Sequence, residues 1–138
     1  MQLRDIVHAK VITVEGSDAV TLAARRMKEA NVGCVVVAGS AVMGILTDRD
    51  LTVRCLAEGH DSRTCTVSQH MTSPAIVVSP TLDVLDAAHL MTERKVKRLP
   101  MVEAGHLVGL VSFSDIAQAM DRPLHDLMIG MGAARRAA

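Results

Sequence analysis

Apolar residues along this chain fall in short bursts, and the bursts alternate between two periods. Val20, Ala23, Met27 and Ala30 recur at the 3.6-residue spacing of one helix face, and Val84, Ala88 and Met91 repeat the pattern further on. Between these stretches lie β-branched runs that predict paired strands: Val35–Ala38 with Val42–Leu46, and Leu99–Val102 with Leu107–Val111. Gly39-Ser40 and Ala104-Gly105 supply the turns that join them. A short strand is expected before each helix, near Val11–Val14 and Ile76–Val78, with Ser17 and Thr81 placed to cap the helices that follow. Further helices are expected from Asp48 and from Phe113, and the polar stretch Gly59–Thr64 reads as a linker. The Met-rich remainder from Pro123 should begin as a helix with proline in its first turn, cover an edge or join a partner subunit, and then fray.

The pattern repeats. The segment from Ile12 aligns without a gap on the segment from Ile76, with identities at Ile12/Ile76, Val14/Val78, Val20/Val84, Ala23/Ala87, Met27/Met91 and Val32/Val96. After a single inserted residue the register resumes, and Gly44 meets Gly109 as Asp50 meets Asp115. Each copy reads as strand, helix, strand, strand, helix, so the fold class is α/β (α+β), a tandem β-α-β-β-α arrangement. The expected division is residues 1–62 and 63–121 for the two repeats, and 122–138 for a C-terminal helix and tail. One copy is too small to bury both faces of its sheet, so the copies should pack sheet to sheet with pseudo-two-fold symmetry.

Composition narrows the function classes. Hydrophobic residues make up 49% of 138, enough for a packed core, and the mean hydropathy is +0.28. No apolar run approaches the roughly 18 residues of a membrane helix. The opening MQLRDIVHAK has no hydrophobic signal-peptide core, and an odd count of three cysteines suits a reducing compartment; both predict a cytoplasmic protein. A formal net charge of +0 argues against nucleic-acid or membrane partners. Phe113 is the sole aromatic among Phe, Tyr and Trp, so any bound base must lie between aliphatic side chains and backbone rather than on stacking platforms.

The repeated motif is Gly-apolar-apolar-Thr/Ser-x-x-Asp at a strand-to-helix junction. It runs Gly44-Ile45-Leu46-Thr47-Asp48-Arg49-Asp50 in one copy and Gly109-Leu110-Val111-Ser112-Phe113-Ser114-Asp115 in the other. The chain over about residues 1–121 resembles the cystathionine-β-synthase (CBS) domain family, whose tandem pair is called a Bateman module. The string LTDRDL and the linker LAEGHD are similar to small stand-alone bacterial members, some of them stress-associated. The resemblance implies a regulatory module, not an enzyme, that binds AMP, ADP, ATP or a related adenosyl ligand in clefts between the copies and signals to a separate protein partner. It implies no required cofactor, and pairing of two chains into a homodimer. In that family the Asp of the motif accepts the ribose hydroxyls, as an acceptor-only carboxylate can. The Thr or Ser hydroxyl and the helix N-terminus meet phosphate. By resemblance Thr47 and Asp50 serve one site, and Ser112 and Asp115 the other. Arg49, Lys97 and Arg98 are placed to neutralise phosphates. Pro100 matches the family's apolar-Pro pair, whereas the other copy has Val35-Val36 and lacks the proline.

Plainer uses stand beside these. Thr47-x-x-Asp50 and Ser112-x-x-Asp115 also fit a capping box, and Lys97 and Arg98 fit a solvated face. Cys55, His60 and Cys65 sit at even spacing, with His70 beyond as an imaginable fourth ligand. That is no recognised zinc-finger spacing, so the sequence reading assigns no metal ligand and takes Cys55 and Cys34 as core. No nucleophile–base or paired-carboxylate arrangement predicts a catalytic residue. The competing functions are a scaffold that has kept the fold without the ligand, and a cysteine-based redox or metal sensor.

Overall fold

The computed structural model describes residues 1–8, 10–120 and 129–130. The helix expected from Pro123 lies outside the described residues. Contacts divide the chain into two compact units, one of Lys10–Ile76 and one that joins the first residues to the chain from Val77 onward.

In the unit Lys10–Ile76, β1 (Thr13–Val14) pairs in parallel with β2 (Cys34–Ala38), which pairs antiparallel with β3 (Val42–Thr47). Helix α1 (Val20–Ala30) links β1 to β2, the crossover that a parallel pair requires. Its buried face is Val20, Ala23 and Met27; Ala30, expected on that face, is exposed. Ala23 and Met27 join Val14, Val35, Val37, Leu46 and Val67 in one apolar cluster. After β3 the chain enters α2 (Asp48–Asp50), continues as a π turn over Leu51–Leu56, and ends in the short α3 (Val67–His70).

The second unit holds α4 (Val84–Arg94), the antiparallel pair β4 (Arg98–Glu103) and β5 (His106–Ser112), and α5 (Phe113–Met120). The β4–β5 turn places Ala104 at φ 50° and Gly105 at φ 79°, the two positive φ values of a type I′ hairpin. The strand expected at Ile76–Val78 shrinks to a single parallel bridge between Val78 and Met101. The cause is Pro100. In the first unit the N–H of Val36 donates to the carbonyl of Ile12 at 3.0 Å. Pro100 is the counterpart of Val36 in the repeat and has no N–H to offer, so that rung is lost.

The helix starts differ from the sequence expectation. Ser17 and Thr81 do not cap; Ala19 and Asp83 occupy the cap positions. At Ala19 the backbone is extended and bridges to Thr66, and the first helical N–H, of Val20, donates to the Cys65 carbonyl at 3.0 Å. The second unit repeats this at the equivalent positions: Asp83 bridges Gln2, and Val84 N–H donates to the Met1 carbonyl at 2.9 Å. Residues 1–8 are therefore the counterpart of residues 65–72. Leu3 and Val67 are both fully buried, and each opens a one-turn helix closed by a capping box, Gln2 with Asp5 and Thr66 with Gln69.

Candidate functional site

At both strand-to-helix junctions the hydroxyl and the acid of the repeated motif close on one another. Thr47 N–H donates to Asp50 Oδ2 at 2.9 Å, and Asp50 N–H donates to Thr47 Oγ1 at 3.1 Å. In the other copy Ser112 N–H donates to Asp115 Oδ2 at 2.7 Å, Ser112 Oγ donates to the same oxygen at 2.8 Å, and Asp115 N–H donates to Ser112 Oγ at 3.2 Å. The capping box anticipated from spacing is thus formed twice, and it holds each carboxylate in a fixed direction just past the end of a half-buried strand. In each case Oδ2 carries the cap and Oδ1 takes no part in it. Asp50 Oδ1 lies 3.9 Å from Arg54 Nε, one turn along.

The surroundings of the two boxes differ. Asp48 N–H donates to the Gly33 carbonyl at 2.9 Å, and a side chain at Gly33 would meet the Asp48 carboxylate at 3.1 Å. Arg49 is exposed beside it. At the equivalent place Phe113 N–H donates to the Lys97 carbonyl at 2.9 Å, and Lys97 Nζ lies 5.8 Å from the Phe113 ring centre, within cation–π range. Arg98 stands directly across β4–β5 from Ser112. Lys97, Arg98, Ser112 and Asp115 thus gather at one end of the hairpin, while Pro100 is fully buried further in, opposite Leu110.

A second group of polar side chains lies in the unit Lys10–Ile76. Cys55 Sγ, Cys65 Sγ and a ring nitrogen of His70 fall within 4.8 Å of one another. Cys55 and His70 are buried and Cys65 is half-buried. His70 Nε2 is buried without a hydrogen-bond partner, while Arg54 holds the main chain there by donating to the His70 and Met71 carbonyls at 3.3 and 3.2 Å. Burial, and then the charges of His60 and Arg54, push the His70 imidazole below the ordinary histidine range. Burial, reinforced by Cys65, pushes the Cys55 thiol up. His60 is exposed with its ring centre 5.3 Å from that of His70. The even spacing of Cys55, His60 and Cys65 pointed to the right segment. It is His70, at the end of α3, and not His60 that lies with the two thiols. His70 was the fourth candidate in the sequence, and the repeat alignment singles it out with the two thiols, because the counterparts of Cys55, Cys65 and His70 are Met120, Met1 and Ile6, all apolar.

No described helix is long and apolar enough to cross a membrane. The family model for the CBS domain matches residues 3–56 and 67–122. The CBS domain-containing protein YhcV of Bacillus subtilis is 36% identical over 116 residues, covering 83% of this chain and 82% of its own. Hypoxic response protein 1 of Mycobacterium tuberculosis is 32% identical over 117 residues, at 83% and 82% coverage. A crystal structure of Hypoxic Response Protein I with two coordinated zinc ions superposes with a TM-score of 0.76 at 32% identity, covering 86% of this chain and 98% of that one. The CBS domain pair of protein MJ0100, in complex with 5′-methylthioadenosine and S-adenosyl-L-methionine, gives a TM-score of 0.77 at 22% identity, a likeness of fold, covering 87% and 95%.

Proposed function

Because the chain belongs to the CBS domain family and carries that domain twice, we propose that it is a cytoplasmic regulatory module that senses an adenosine nucleotide or a related adenosyl compound and performs no catalysis itself. The observation that carries this reading is the twofold occurrence of one hydroxyl–acid box, at equivalent junctions, with one carboxylate oxygen left outside the cap. Asp50 and Asp115 would accept the vicinal ribose hydroxyls. Thr47 and Ser112 would meet the phosphate, with Arg49 beside one and Lys97 and Arg98 beside the other. Pro100 withdraws a ladder donor and so leaves backbone acceptor capacity for an exocyclic amino group. The capping role and the binding role are compatible, since the cap uses Oδ2 and a diol can approach Oδ1. The MJ0100 pair carries adenosyl ligands on the same fold, which sets the panel to be tried.

Regulation would be a population shift, in which the ligand favours one conformation that a separate protein reads. Two chains would pair as a homodimer, to be checked by light scattering as twice the chain mass. Thermal shift of the full chain with AMP, ADP, ATP, NADH and S-adenosylmethionine tests the binding. A ligand at one hundred times its dissociation constant stabilises by about 2.7 kcal/mol, a shift of several degrees. No shift with any of the five at millimolar ligand would favour the scaffold reading instead.

A further inference from the structure

We propose that Cys55, Cys65 and His70 form a site for one zinc-type divalent cation, separate from the repeated hydroxyl–acid boxes. Two thiols and an imidazole are the donor set that zinc prefers. With Zn–S bonds of about 2.3 Å and Zn–N bonds of about 2.0 Å, tetrahedral ligands sit about 3.5–3.8 Å apart. The three donors here already lie within 4.8 Å, so closure asks for about 1 Å of side-chain movement. Binding forms two metal–thiolate bonds and one metal–nitrogen bond, and both thiol protons pass to water.

Three observations favour a metal over packing. First, His70 Nε2 is buried with no partner, although buried polar atoms nearly always have one; a cation at the thiols would supply it. Second, the chain contains its own control. The duplicate half has Met1, Ile6 and Met120 at the three equivalent positions, the two methionines exposed, so the repeat does not need polar groups there, yet all three change together. Third, Cys55 lies in the π turn Leu51–Leu56, an irregularity frequent at functional sites. A Cys55–Cys65 disulfide would explain the thiols and leave the imidazole unpartnered. His60, beyond the Gly59 stop, is close enough to reach the fourth position. A cleft of about 220 Å³, lined in part by Cys55 and His60, opens a path to it.

The test uses the full chain, reduced and stripped with a chelator, titrated first with cobalt(II) and then with zinc. Cobalt should give thiolate charge-transfer absorption and tetrahedral ligand-field bands that saturate at about one equivalent, and zinc should bleach both. Cys55→Ser and Cys65→Ser should abolish the charge transfer, and Cys34→Ser should leave it. His70→Ile installs the residue of the other half, so it should fold. It should weaken zinc by at least the roughly 10–100-fold that loss of even an outer-shell partner costs. Alkylation of the half-buried Cys65 in the unmutated chain gives a readout free of folding defects, and zinc should slow it about tenfold or more. Absence of charge transfer at excess cobalt, equal loss in Cys34→Ser, or alkylation of Cys65 indifferent to zinc would each overturn the proposal.

Discussion

Asp83 settles the start of α4 through one carboxylate. Its Oδ1 accepts the Leu85 N–H at 2.9 Å and its Oδ2 lies 3.3 Å from the N-terminal amine. The Leu85 bond first, then the amine, holds its pKa below the ordinary value of 3.8. A carboxyl depressed on folding contributes stability above its unfolded value, and loses that contribution as pH falls through and below it. The expected result is that Asp83→Asn, which still caps but carries no charge, lowers the melting temperature modestly near neutrality and flattens its further loss in the acid range below 3.8. A variant curve that tracks the unmutated chain through the acid range would contradict it. This cap was not legible in the sequence: Ser17 and Thr81 have capping chemistry, but the backbone stays extended to Ala19 and Asp83 because those residues bridge to Thr66 and Gln2. Long-range pairing overrode local propensity. His70 stood in the sequence only as an imaginable fourth ligand, behind His60. A histidine fifteen residues beyond Cys55 carries no spacing signal of its own, and it reaches the thiols at the end of α3, which the Ala19–Thr66 bridge and Arg54 hold in place. In the metal-free protein His70→Ile should raise stability by about 1–3 kcal/mol, the cost of a buried unsatisfied polar group, as read by denaturant unfolding in chelator.

The strands were the most legible elements, because short β-branched runs bounded by turn residues have few other readings. The β4–β5 turn was placed correctly, but its strain was not visible from composition: Ala104 sits at φ 50°, where asparagine or glycine belongs. Ala104→Asn should stabilise the hairpin by about 0.5–1 kcal/mol, measured as a rise in the urea midpoint at unchanged slope. Gly44, the first residue of the repeated motif, bears a different constraint. A Cβ there would meet the Thr72 carbonyl oxygen at 2.5 Å, in the middle of the Ile45–Thr72 bridge. Gly44→Ala should therefore cost about 1–3 kcal/mol. The π turn after Asp50 and the loss of the strand at Val78 were both beyond sequence periodicity, although the second follows at once from the missing N–H of Pro100.

At the scale of the whole chain the duplication was the strongest signal, and it carried the family, the α/β class and the two boxes together. Less visible was which short segment completes which unit. Residues 1–8 carry no strong periodicity. Their place became clear only from the bonds of Leu3 and Arg4 to Leu82 and Pro80, matched in the other unit by Val67 and Ser68 bonding to Asp18 and Gly16. The proposed function requires the boxes to act as ligand acceptors as well as caps. Calorimetric titration of the full chain with the best nucleotide of the panel, compared with Asp50→Ala, Asp115→Ala and the double variant, tests this most directly. Each single change should remove or weaken one binding event by about 10–100-fold, the worth of a hydrogen bond to a charged group, and the double variant should bind nothing measurable. Unchanged affinity and stoichiometry in all three, with only a lowered melting temperature, would contradict it.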